Sequence, residues 1–227
     1  MATSYLSSRT LDVQRIADPA MSSCDVAALT ALLRRLSCSM MGKRLLEVAL
    51  GHELQISFAT TWSLWRPGRG MTSAQYAPGR RRIRLGRRHP ADVQLAALAH
   101  ELQHFCDEVL GWGQGWSIDS EVRAQQSEAL VIRELGLDAR SHSLDAQGRL
   151  RTRADLSARL RALRMYADHR EERPRRDGTL HPLASNDELR RAAHGRTAIH
   201  VVPAPVLIVG PRAEPSNATP TDTMWCP

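Results

Sequence analysis

The stretch from Ala91 to Leu110, ADVQLAALAHELQHFCDEVL, accommodates one regular conformation and fixes what can stand on each side of it. Leu95, Leu98, Leu102, Phe105 and Val109 recur at three-and-four spacing, the stripe of an amphipathic helix. At about 100° per residue, His100 and His104 fall roughly opposite that stripe. The apolar face can therefore bury in a core while both imidazoles project together into a cleft. Pro90 ends whatever precedes, and Asp92 places negative charge in the first turn, where the helix dipole favours it.

His100-Glu101-Leu102-Gln103-His104 is an H-E-x-x-H. Histidines at i and i+4 lie one turn apart, close enough to hold one Zn²⁺ per chain through neutral imidazole nitrogens. Glu101 is displaced around the helix from both, so it is not a ligand. It is placed to act as general base toward an attacking water and then to return the proton to a leaving amine. The chain carries its own control. His52-Glu53-Leu54-Gln55 repeats the tetrapeptide, but Ile56 stands where the second histidine would be, and the segment runs into QISFATTW, which alternates as a strand.

A second helix is expected over SEVRAQQSEALVIRELG, capped by Ser117 or Asp119 and stopped at Gly136. Glu121, Ala124, Glu128, Val131 and Leu135 share one face. Carboxylates on an otherwise apolar face need a partner, because an unpaired buried charge is costly. A zinc ion with two histidines and an open ligand position is such a partner. Glu121 leads as third ligand, with Glu128 and Asp119 as alternatives and His142 as a remote candidate. Glu128 lies two turns past Glu121, roughly 10 Å along the helix, so only one of the two can reach the metal. The other can support a ligating histidine from behind.

These pieces resemble the small bacterial zinc metallopeptidases of the gluzincin group, the minigluzincins, and loosely the ImmA/IrrE-type domain. The matching segments are QYAPGRRRIRLG, LAHELQH and EVRA, within residues 40–137. The resemblance implies a short sheet with a hairpin before the H-E-x-x-H helix, then a second helix donating a glutamate from E-x-x-A. It implies His100, His104 and Glu121 as zinc ligands and Glu101 as catalytic base. Such peptidases also stabilise an oxyanion, often with a Tyr or His; Tyr76, His142 and Tyr166 are the candidates. A metzincin continuation would need Gly at 107 and His at 110, where Asp107 and Leu110 stand.

The rest of the chain frames this centre. Asp25 is a candidate cap for helical VAALTALLRRL, and Ser39–Gly42 reads as a break before a helix over 43–50. A strand is expected over 54–65. Pro78-Gly79 marks a turn between AQY and RRIRL, with Ile83 and Leu85 on one face and Arg82 and Arg84 on the other. Six arginines crowd positions 80–88. An edge strand shielded by charge accounts for them, whereas a basic groove for an acidic peptide or nucleic acid would call for interleaved aromatics that are missing. Trp112 and Trp116 close a core edge or wall a pocket. Beyond Gly136, a turn at 145–148 precedes a helix over 153–170 with Leu156, Leu160, Leu163 and Ala167 as its docking stripe.

The expected architecture is α+β: a small sheet and hairpin packed on two ligand-bearing helices, with flanking helices. Residues 1–24 form a flexible leader, 25–140 the zincin-like domain, 141–172 a connecting turn and docking helix, and 173–227 a Pro-rich, mostly disordered tail. With 227 residues and 4% aromatics, the core must be rich in Leu, Ala and Val. The formal charge is +7, and Lys43 is the single lysine. Cys24, Cys38, Cys106 and Cys226 show no metal or disulfide spacing, which suits a reducing compartment. No secretory signal or apolar run of membrane length is evident, so the expectation is a cytoplasmic protein acting on a peptide or protein substrate. The competing expectation is a non-catalytic zinc module that contacts a protein or nucleic acid through its basic strand and tail.

Overall fold

The computed structural model describes residues 12–60, 64–66, 70–112, 117–141, 143–163, 188, 189, 192 and 193, with backbone alone at 65, 66, 70 and 71. Its class is α+β. Helices α1 (Ser23–Leu36) and α2 (Met40–Gly51) lead into strand β1 (Gln55–Ala59). Two-residue strands β2 (Trp65–Arg66) and β3 (Gly70–Met71) pair antiparallel, and the hairpin β4 (Ala74–Ala77) and β5 (Arg82–Gly86) follows. Helices α3 (Ala91–Val109), α4 (Ile118–Leu135) and α5 (Arg153–Ala162) complete the order.

The hairpin forms at Pro78-Gly79 as expected, with Gly79 at φ 74°, where only glycine is unstrained. Ile83 and Leu85 are fully buried, while Arg82 and Arg84 face outward. Sheet order is β1-β5-β4, with β1 parallel and β4 antiparallel to β5. The arginine-bearing strand is therefore central, which corrects its expected edge position. A central strand with one solvated face alternates in the same way as an edge strand, and the arginines reflect that face. Arg82 reaches Asp18 and Gln55.

The edges are β1 and β4. The β1 edge is covered: Ile56 N–H donates to Ile16 O and Asp18 N–H to Ile56 O, in a parallel bridge of Ala17 with Ile56. Val13, Ile16 and Ala17 thus join the core, within the stretch expected to be a flexible leader. Val13 and Ile16, three apart on a short 3₁₀ turn, are both buried.

The first helix starts two residues earlier than Asp25, because Ser22 is the cap and accepts from Asp25 N–H at 3.2 Å. Asp25 instead meets Arg87 bidentately, at 2.5 and 2.8 Å, tying α1 to the end of β5. The expected break at Ser39–Gly42 is a tight corner. Ser39 caps α2 by accepting from Gly42 N–H at 2.9 Å and donates to Glu134 Oε2 at 2.6 Å. Glu134, on α4, also accepts from Met41 N–H, so a carboxylate from a distant helix neutralises this helix N-terminus. Gly42 sits inside α2 because a Cβ there would collide with the backbone oxygen and side chain of Leu36.

One apolar cluster runs from Val13 through α1, α2, the sheet and α3 to Leu137. It also takes in Leu189, which is 2% exposed, and Ala192 and Ala193 pack against it. His52 Nε2 lies 2.7 Å from Ala192 O. The remainder of 164–227, including Tyr166, Ala167 and most of the expected tail, lies outside the described residues. A smaller cluster of Ile118, Val122, Leu156 and Leu160 docks α5 on α4. Among the described residues no helix is long and apolar enough to cross a membrane, and Cys24, Cys38 and Cys106 are free thiols.

Two outcomes follow for stability. Gly42→Ala overfills the α1–α2 corner and should lower stability by about 1–3 kcal/mol in denaturant titration, whereas Gly79→Ala should perturb the turn but not that corner. Asp25 and Asp92 have lowered pKa values, Asp25 mainly through Arg87 and Asp92 mainly through the Asp138 N–H. A depressed carboxylate stabilises above its unfolded value and loses that contribution as pH falls through the folded one. Thermal unfolding followed from pH 6 downward should show the midpoint dropping below roughly pH 4, with a smaller drop in Asp25→Asn.

Candidate metal centre

Helices α3 and α4 pack antiparallel, the end of one beside the start of the other. Ser117 caps α4 by accepting from Ser120 N–H at 3.0 Å, and Gly136 ends it at φ 60°. Ala124, with no exposed surface, lets the helices approach closely. Along the seam, polar groups from α3 meet polar groups from α4: His100 with Glu128, Gln103 with Ser127, His104 with Ser120, and Asp107 with Arg123.

The two imidazoles converge. His100 Nε2 and His104 Nε2 are 3.2 Å apart, and Glu121 lies across them, 3.4 Å from the first and 3.5 Å from the second. One donor atom from each of His100, His104 and Glu121 falls within 4.8 Å of the others, a group able to hold a metal ion. The outer nitrogens are engaged elsewhere. His100 Nδ1 meets Glu128 Oε2 at 3.1 Å, and His104 Nδ1 meets Ser120 Oγ at 2.9 Å. A carboxylate opposite His100 Nδ1 makes that nitrogen the N–H donor. Ser120 donates its own proton to Asp107 Oδ2 at 2.9 Å, so its oxygen accepts from His104. With both imidazoles neutral, their Nε2 lone pairs face each other beside a carboxylate, an arrangement that a cation relieves. Two imidazoles and one carboxylate, with the outer nitrogens held, form a donor set that fits zinc.

Burial works against a charge on His100, but the hydrogen bonds it donates to Glu121 and Glu128 outweigh it and raise its pKa. His104 is lowered, first by burial and then also by His100, despite Glu121.

Glu101 lies on the sheet side of α3 and accepts from Tyr76 N–H at 2.8 Å through Oε2. The amide of Tyr76 points away from β5, on the outer edge of β4. The phenol of Tyr76, a candidate oxyanion donor from sequence, is buried and donates to Glu108 Oε2 at 2.6 Å. It is committed to holding the hairpin on α3, together with Gly79 N–H and Arg81, which reach the same carboxylate. Asp119, an alternative third ligand, pairs with Arg153 of α5 at 2.9 Å, which ties it to that helix. Glu128 takes the supporting position behind His100. Trp112 lies over the guanidinium of Arg123, 5.7 Å from it, and packs on the core. Trp116 and His142 lie outside the described residues.

Sequence inspection missed Ser120, Asp107, Arg123, Gln103 and Ser127, all buried. A signal existed: Gln103 and Asp107 share the face of His100 and His104, and the polar positions of α4 are too many for its one exposed side. Comparison with known protein families, curated proteins and solved structures returned no match to this chain.

Glu121→Ala removes a carboxylate that faces both imidazoles, whereas Glu128→Ala removes only the brace behind His100. Zinc titration against a chromophoric chelator should show the larger loss for Glu121→Ala and a loss of about 10–100-fold for Glu128→Ala. Unchanged affinity in Glu121→Ala would move the third ligand elsewhere.

Proposed function

We propose that this chain is a cytoplasmic zinc-dependent metallopeptidase, of the kind that its resemblance to the gluzincins implies. The observation that carries the reading is the pairing of two features on one helix. The first is the inward-facing donor set of His100, His104 and Glu121. The second is Glu101, one residue from a ligand yet outside the ligand set and held by the neighbouring strand. Glu101 also fastens β4 to α3, so its support for this reading is its place beside a ligand, with one carboxylate oxygen on the strand amide and the second left for chemistry.

His100, His104 and Glu121 would hold the zinc, which when bound supplies Lewis acidity toward water and toward a peptide carbonyl. Glu101 keeps Oε2 on the Tyr76 amide and has Oε1 for proton transfer. It takes a proton from the attacking water and passes it to the leaving nitrogen as the C–N bond breaks. Oxyanion stabilisation by Tyr76 is not part of this reading, because its hydroxyl serves Glu108. With β5 central and β1 covered by residues 16–18, β4 is the edge of this sheet left for an extended substrate, and its Tyr76 N–H is already taken by Glu101. Because the arginines of β5 do not line that edge, they supply no basis for a preference for acidic peptides.

The deciding experiment combines metal content with turnover. Elemental mass spectrometry should find about one zinc per chain in the wild type and little in His104→Ala. A peptide-library screen should then detect cleavage that Glu101→Gln abolishes while retaining its metal. Zinc retention with no turnover in the wild type would favour the non-catalytic module instead.

A further inference from the structure

The two histidines are braced by chemically different partners. His100 meets a carboxylate directly, whereas His104 meets a neutral hydroxyl that hands on to Asp107. Asp107 is 1% exposed and receives four donor atoms: Gln103 Nε2 at 2.7 Å, Ser120 Oγ at 2.9 Å, Arg123 Nε at 2.9 Å and Arg123 Nη2 at 2.8 Å. Every polar neighbour is a donor, so the carboxylate acts only as an acceptor. Gln103 is itself fixed, since its Oε1 accepts from Ser127 Oγ at 2.7 Å. Arg123 has no exposed surface.

We propose that Asp107 is the positioning residue of the metal centre, aiming His104 through Ser120 and placing Glu121 through its grip on Arg123. The inference rests on the metal-site reading given above. Its logic is geometric. Ser120, Glu121 and Arg123 occupy the first turns of α4, so a carboxylate on α3 that binds Ser120 and Arg123 fixes how Glu121 faces the histidines. Ser120 has one proton, and Asp107 takes it. The oxygen is left to accept from His104 Nδ1–H, and the Nε2 lone pair is directed into the site. A buried ion pair adds little net stability but is costly to break on one side, which suits a role in register.

The test uses full-length protein with ¹⁵N-labelled histidine. In the metal-free wild type, long-range ¹⁵N–¹H spectra should show His104 as the Nδ1–H tautomer. Ser120→Ala should move it toward the Nε2–H form, and Ser120→Thr should restore it. Zinc affinity by chelator competition should fall about 10–100-fold in Ser120→Ala and recover in Ser120→Thr. The metal-free unfolding midpoint of Ser120→Ala should shift by no more than roughly 4 °C. Asp107→Asn strikes both limbs at once and should lose more affinity than Ser120→Ala; if it does not fold, Ser120→Ala still decides the His104 limb. Wild-type tautomer and affinity in Ser120→Ala would overturn the inference while leaving the metal site standing. A wild type that binds no zinc would overturn the metal reading, and the tautomer spectra would then judge the Asp107–Ser120 limb alone.

Discussion

The Asp107–Arg123 ion pair is the contact on which the seam between α3 and α4 depends. Both side chains are essentially buried, so losing either would leave an unpaired charge in the seam. Burial pushes Asp107 upward in pKa, and Arg123 with the hydrogen bonds from Gln103 and Ser120 opposes that push. The pair fixes the rotational setting of α4 against α3. A hydrophobic seam could slide by a fraction of a turn at small cost, whereas these directional bonds could not. Glu121, two residues before Arg123, inherits its place from that constraint, as do Ser120 beside it and Glu128 two turns on.

The sheet is fastened to the same helix by a second set of contacts. Tyr76 is held at both ends by α3, through its amide to Glu101 and its hydroxyl to Glu108. Glu101 and Glu108 are seven residues apart, two turns, and lie on one line of the helix surface. The β4 edge therefore runs beside the H-E-x-x-H segment at a fixed height. On the opposite side, Arg87–Asp25 and the Ala17–Ile56 bridge close the sheet against α1 and the N-terminal segment. One edge is thereby consumed by the fold, and the other lies next to the carboxylate proposed as the base.

Much of this was legible in the amino-acid order. The helix stripe of α3, the stop at Gly136 and the turn at Pro78-Gly79 are local signals, and local signals survive folding. The strand without a second histidine after His52 was legible for the same reason. Other features are set by distant partners. Ser39–Gly42 looks like a break because Ser and Gly are poor helix formers, yet Glu134 from α4 caps that turn and Leu36 demands a residue without a side chain. The central position of β5 was hidden because alternation records how many faces are wet, not how many neighbours a strand has. Asp107 and Arg123 were hidden because a charged residue in an amphipathic pattern is ordinarily assigned to solvent.

The difference between the two histidine braces bears on how the centre would handle charge. His100 is backed by the carboxylate of Glu128, which makes its imidazole the more basic ligand. His104 is backed by a hydroxyl, with the negative charge of Asp107 one bond further away and already balanced by Arg123. The site thus carries Glu121 and Glu128 close to the metal position, while the charge of Asp107 is neutralised within the seam. The buried arginine therefore does two jobs: it sets the register of the ligand-bearing helix and balances the charge of Asp107 within the seam.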